Sequence, residues 1–111
     1  MGRSPDVVVV GAGVFGAWSA YQLHRSGRSV TLIDAFGPGN SRASSGGESR
    51  IIRIGYGSEK IYSRWALESL DQWQALFHEV QSPLFIKTGV LFLGRNKDPL
   101  FDATTLTLQR L

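Results

Sequence analysis

The sequence contains no cysteine, one methionine and two histidines among its 111 residues. Disulfides, thiol nucleophiles and cysteine-ligated metals are therefore excluded for these residues. His24 and His78 both fall in helical patterns without ligand-like spacing, so no metal site is expected. No segment approaches the roughly 18 continuous apolar residues that a membrane-spanning helix needs. The apolar run Val7–Val10 follows Arg3, but Gly11, Gly13 and Gly16 break it up, unlike the apolar stretch of a secretory leader. Asp6 stands where an N-myristoylation signal would want Ser or Thr. Net charge is +3 and the pI near 9.7, yet the cations are scattered. No basic run marks a nucleic-acid footprint. The expectation is a soluble, cytoplasmic protein without a membrane span or a nucleic-acid partner.

What is present is ordinary for a globular chain, with 42% apolar and 19% charged residues. The length allows one domain of modest size. The chain is organised around Asp6-Val7-Val8-Val9-Val10-Gly11-Ala12-Gly13-Val14-Phe15-Gly16. Four consecutive valines are β-branched, stiff at χ1 and apolar on both faces, as a doubly covered strand of a parallel sheet requires. The strand runs into Gly11-x-Gly13-x-x-Gly16, and a helical pattern begins at once. Gly11 allows the tight turn, Gly13 lets the backbone approach a pyrophosphate, and Gly16 lets helix and strand pack closely. A pyrophosphate there would meet the N–H groups and the positive dipole end of the new helix.

That helix is expected over about Val14 to Ser26, with Val14, Trp18 and Tyr21 on one face, Leu23 beside them, and Gly27 as the stop. A second strand, Ser29 to Ile33, ends on Asp34. An acid about 20 positions beyond the glycines, at a strand's C-terminal end, suits the hydroxyls of an adenosine ribose. The competing reading, a βαβ unit that uses its glycines only for packing, leaves both the acid and the turn as coincidences. The pattern predicts a dinucleotide site.

From Ala35 to Gly47 the sequence is dense in Gly, Pro and Ser. By composition alone this is a flexible linker. Its place after the second strand, where nucleotide sites of open α/β sheets are built, also fits a cofactor loop. Arg50 and Arg53 then bracket an Ile-Ile pair. Arginine suits bidentate capture of a carboxylate or phosphate, while a solvated amphipathic turn would carry the same residues.

Ile61 to Val80 is the clearest helix, with Ile61, Trp65, Leu70, Trp73, Leu76, Phe77 and Val80 recurring at helical spacing as core packing. Glu59 and His78 suit its dipole, and Ser82-Pro83 ends it. Residues 85–87 and 90–93 are expected to be two strands around Thr88-Gly89, Asn96 to Pro99 a turn, and a last helix to start near Leu100. Two parallel strands leave apolar faces uncovered, and dinucleotide-binding sheets normally have more strands. The expectation is an N-terminal piece of a longer protein, divided into 1–58, 59–82 and 83–111.

The run Ser41-Arg42-Ala43-Ser44-Ser45-Gly46-Gly47-Glu48-Ser49-Arg50-Ile51-Ile52-Arg53, then Tyr56, closely resembles the sarcosine/pipecolate oxidase branch of the FAD-dependent amine oxidases related to D-amino-acid oxidase. Leu70-x-x-Trp73 and Thr88-Gly89-Val90-Leu91 resemble the same branch, and the similarity extends from Asp6 to about Gly94. The resemblance implies an α/β fold: the start of a Rossmann-like FAD-binding domain, then the beginning of an α+β substrate domain. It implies oxidation of the C–N bond of a small secondary amine or amino acid to an imine, with O2 giving H2O2. FAD would be held by Gly11, Ala12, Gly13, Val14, Phe15 and Gly16, by Asp34 and Ala35, and by Arg42, Ser44 and Ser45. Arg50 would lie by the flavin and stabilise negative charge on the reduced ring, and Arg53 would grip the substrate carboxylate.

Two departures stand out. Gly46 occupies a position where branch members often carry a histidine beside the flavin. The cysteine tether and oxygen-activating lysine of the branch come from later sequence than these residues. An NAD(P)-dependent dehydrogenase would explain the first 34 residues equally well, but not the serine-rich loop or the paired arginines. A non-catalytic nucleotide-binding piece is the reading from outside enzymology. The sequence does not set an oligomeric state.

Overall fold

The structure is a computed structural model and describes residues 4–94 and 98–111. The chain divides into two compact units, Met1–Arg50 and Ile51–Leu111.

The first unit has a β-α-β order: β1 (Val7–Val10), α1 (Val14–Arg25) and β2 (Val30–Ile33). The strands pair in parallel, with Val7 opposite Val30 and Val10 opposite Ile33. Polar groups fasten both ends of this short ladder. At the entrance the Asp6 carboxylate accepts from the Ser29 N–H at 2.8 Å, and the Asp6 N–H donates to the Ser29 carbonyl at 2.9 Å. At the exit the Gly11 N–H donates to the Ile33 carbonyl at 2.7 Å. Helix α1 ends one residue before the expected Ser26. Gly27, at φ 86°, bonds back to the His24 carbonyl while the Arg28 N–H reaches that of Leu23. These two bonds form a Schellman cap, which explains the glycine as a stop.

The second unit holds α2 (Lys60–Glu79) and α3 (Pro99–Leu108). Helix α2 closes with the same cap, but Gln81 occupies its left-handed position at φ 51°. The bonds run from Gln81 N–H to His78 carbonyl and from Ser82 N–H to Phe77 carbonyl. Helix α3 starts on a side-chain cap, the Asp98 carboxylate accepting from the Leu100 N–H at 3.0 Å, with Pro99 in the first turn. Proline is suited to that place because its missing N–H would have had no helical partner.

Two expectations fail here. Residues 85–87 and 90–93 are not strands, and Ile86 and Leu91 are 76% and 82% exposed. A strand exists only through its ladder, and a short apolar run without a pairing partner stays irregular. The stripe on α2 is likewise only partly core. Trp73 and Phe77 stack with centroids 5.4 Å apart, whereas Trp65 is 54% exposed and Ile61 and Val80 are similarly open. The fully buried α2 side chain is instead Ser63, and Thr104 and Thr107 are the buried side chains of α3. The expected turn from Asn96 begins outside the described residues.

The glycine turn makes two contrasting demands. A Cβ on Gly16 would lie 1.8 Å from the Gly11 carbonyl oxygen, so the close approach of α1 to the end of β1 depends on its absence. A Cβ on Gly13 would meet nothing nearer than 3.7 Å. Gly16→Ala is therefore expected to cost about 1–3 kcal/mol of stability through overpacking, and Gly13→Ala much less. Denaturant midpoints of the two variants measure the difference, and equal midpoints would contradict it.

Candidate functional site

The first unit carries a cleft of about 550 Å³ where β1 gives way to α1. Its walls are the end of β1, the glycine turn with the first turn of α1, and the loop from Asp34 to Ser45. Local features of the turn, the helix start and the loop bring these walls together.

Gly11 turns the chain with φ 102°, a conformation that costs glycine nothing and other residues much. Gly13 is the N-cap of α1 and offers no side chain, and no acidic residue follows in the first turn. The first N–H groups of a helix lack intrahelical acceptors, and the aligned peptide dipoles make that end positive. The Val14 N–H donates to the Ser45 hydroxyl at 3.2 Å, so a serine from the loop already sits at this donor end.

Asp34 follows β2 directly and reaches across the cleft floor. Its Oδ2 accepts the Ala12 N–H at 2.7 Å and its Oδ1 the Phe36 N–H at 2.7 Å. These bonds favour the charged form and hold the Asp34 carboxyl below its usual range, the Ala12 N–H most strongly and then that of Phe36. Partial desolvation pulls the other way, and Gly37 adds a weaker downward effect. Beyond Asp34, the Arg42 guanidinium lies 4.3 Å from the centroid of the Phe36 ring.

The cleft thus unites Gly11, Gly13, Val14, Phe15, Gly16, Asp34, Arg42, Ser44 and Ser45 from the expected cofactor set. Ala12 lies buried beneath it and contributes its N–H to Asp34. Ala35 is exposed and is not part of the lining. Arg50 turns its guanidinium back on its own loop, donating to the carbonyls of Gly46 and Ser49. Arg53 belongs to the second unit, where its guanidinium lies 5.3 Å from the centroid of the Tyr56 ring. The cleft also includes Val10, Phe36, Asn40 and Ala43, which were not among the expected site residues. Phe36 carried a signal in its position two residues beyond the acid. Asn40 carried none, because asparagine between glycine and serine reads as turn chemistry.

The arrangement offers backbone N–H donors and a helix dipole for an anion. It also offers a carboxylate for hydroxyl groups and a cation at the loop side. Among the described residues no cluster of His, Cys, Asp and Glu could hold a metal, and no helix is long and apolar enough to cross a membrane.

Residues 6–110 match the family model described as FAD dependent oxidoreductase (DAO). Over 101 residues the chain is 42% identical to the monomeric sarcosine oxidase of Bacillus sp. strain B-0618, covering 91% of this chain and 26% of that protein. It is 36% identical to the human peroxisomal sarcosine oxidase over 105 residues, 95% of this chain and 27% of the relative. It is 33% identical to the N-methyl-L-tryptophan oxidase of Escherichia coli K12 over 90 residues, 80% and 24% of the respective chains. The chain spans about a quarter of the length of these relatives.

The lowered acidity range of Asp34 has a stability consequence. A carboxyl whose folded pKa lies below its unfolded value adds stability above the unfolded value, and that stability is lost as pH falls through the folded one. With an unfolded value of about 4, Asp34→Asn should be less stable than the parent near neutrality, and the gap should close in strong acid. Urea midpoints from about pH 7 down to about pH 2 follow the gap. A gap of constant size would mean that charge on Asp34 does not support the fold.

Proposed function

The chain belongs to the DAO family of FAD-dependent oxidoreductases, and on that premise we propose that its cleft receives the ADP half of FAD. The protein it serves would oxidise the C–N bond of an N-methyl or cyclic secondary amino acid. The observation that carries this reading is the meeting, in one cleft, of the glycine turn at the start of α1 with the charged Asp34.

The residues fit the cofactor. A Cβ on Gly13 would stand against Ala43 and Ser45, so its absence leaves bare backbone where a pyrophosphate would approach, with the N–H groups of the first turn of α1 as donors. Asp34 would accept the ribose hydroxyls. Ser44 and Ser45 would supply hydroxyls to the phosphates, the Ser45 hydroxyl leaving or sharing the Val14 N–H. Arg42 would set a positive charge at the loop side. Ala35 takes its place as the backbone link between Asp34 and Phe36 rather than as a wall.

Bound FAD would supply the two-electron acceptor for a hydride equivalent leaving the carbon beside the amine nitrogen, with O2 reoxidising it to yield H2O2. The substrate is left as an imine, which water hydrolyses. In this scheme Arg53 binds the substrate carboxylate through a charge-assisted pair, orienting that carbon. Arg50 would place a positive charge beside the flavin ring, its guanidinium leaving or sharing the Gly46 and Ser49 carbonyls. The glycine turn, Asp34 and the serines bind and orient without entering the chemistry. The names of the relatives support an N-methyl amino acid, with sarcosine as the smallest such substrate.

An absorption spectrum of the native protein that carries this chain, recorded before and after addition of sarcosine or pipecolate, tests the reading. Flavin bands that bleach with substrate are expected. A colourless protein that takes up no added FAD would overturn it. Arg53→Leu is expected to raise KM for a carboxylate substrate by roughly 10- to 100-fold, the range of a lost charge-assisted bond, with flavin retained. Loss of flavin with KM unchanged would remove Arg53 from the substrate site.

A further inference from the structure

Asn40 uses both its amide N–H donors and its side-chain carbonyl on protein partners. Its Nδ2 donates to the Gly37 carbonyl at 2.7 Å and to the Asp34 Oδ1 at 3.3 Å. Its Oδ1 accepts the Arg42 N–H at 3.0 Å. A primary amide has two N–H donors and one carbonyl, so both kinds of group are used on protein partners. The Asn40 backbone carbonyl accepts the Ala43 N–H at 3.2 Å as well. One residue thereby links the acid at the end of β2 to the arm that carries Arg42, Ser44 and Ser45.

The two oxygens of Asp34 are loaded unequally. Oδ1 accepts both the Phe36 N–H and the Asn40 amide, which fills its two lone pairs. Oδ2 accepts the Ala12 N–H. The Ala12 and Phe36 N–H groups set the rotation of the carboxylate, with Oδ1 facing the loop and Oδ2 on the glycine-turn side, and Asn40 reinforces it from the loop.

We propose that Asn40 is a positioning residue for the adenosine half of a dinucleotide. It occupies Oδ1 of Asp34 so that Oδ2 is the oxygen that receives a ribose hydroxyl, and it ties the same acid to the Arg42–Ser45 arm. The proposal rests on the reading of the cleft as an FAD site, and it adds a residue whose role is not to touch the cofactor. Asp34 and Arg42 are the charged side chains among the lining residues. β1, the glycine turn and the first turn of α1 contribute none.

The test measures ADP and FAD binding to the cofactor-free native protein by titration calorimetry. Two variants are compared with the parent, Asn40→Leu and Asn40→Asp. Asn40→Leu removes the donor and the acceptor together, and is expected to weaken ADP and FAD by the same factor, roughly tenfold. Asn40→Asp keeps the size and the acceptor for the Arg42 N–H but faces Asp34 with a second carboxylate. Two carboxyls in contact share a proton readily, and the protonated form donates as the amide does. Its ADP affinity should be poor at about pH 8 and recover toward the parent value at about pH 5, a dependence that a merely structural role would not produce.

Parent-like affinity in Asn40→Leu would overturn the proposal. So would an Asn40→Asp deficit of the same size at both pH values, which decides the matter even if the leucine variant does not fold. A parent protein that binds neither ADP nor FAD would instead overturn the cofactor reading, and this proposal with it.

Discussion

The hydrogen bond from the Ala12 N–H to the Asp34 carboxylate spans 22 residues of sequence and closes the first unit on itself. It joins the turn that leaves β1 to the residue that leaves β2, just where the parallel ladder runs out at Gly11 and Ile33. Parallel pairing alone would bring those two ends side by side, but not fix the turn against the acid. A charged acceptor makes the bond stronger than a neutral pair, and the cost is a carboxylate that must stay ionised.

From that bond the remaining contacts follow in a circuit. Asp34 takes the Phe36 N–H and the Asn40 amide, Asn40 holds Arg42, and the arm returns to the start of α1 through Ser45 and the Val14 N–H. A stretch whose composition suits a flexible linker is thus pinned at both ends and in the middle. The circuit uses backbone N–H groups that a bound anion can also address. Preorganisation of this kind reduces what must be ordered when a ligand binds.

The second unit is built differently. Thr104 accepts the Gly57 N–H on its hydroxyl at 3.0 Å and donates its own O–H to the Leu100 carbonyl, fastening α3 to the turn that follows Arg53 and Tyr56. Small polar side chains, Ser63, Thr104 and Thr107, occupy its interior, and the large apolar ones stand half-open. In the first unit Val10 is 80% exposed, and Leu32 and Ile33 are open as well. Exposed apolar faces of this extent mark surfaces that other elements cover. They are consistent with a chain that spans about a quarter of the length of its relatives.

The sequence by itself determined the β-α-β start, the tight turn at Gly11, the close packing at Gly16, the acid at the end of β2 and the long helix. Each of these rests on local chemistry: β-branched valines, glycine's access to positive φ, and apolar residues at helical period. The Ser44-Ser45 and Arg50-Ile-Ile-Arg53 pattern pointed to FAD through resemblance, and the family match agrees. Tertiary structure decided what local chemistry leaves open. Residues 85–87 and 90–93 have strand-like composition, yet a strand needs a partner and these have none in a ladder. The aromatic stripe of α2 has the right period, yet burial depends on what lies over it. Asn40 looked like a turn residue, and only the fold placed its amide against a carboxylate that the chain had passed six residues earlier. Periodicity and side-chain chemistry are properties of neighbours in sequence, whereas pairing, burial and the orientation of a carboxylate are set by neighbours in space.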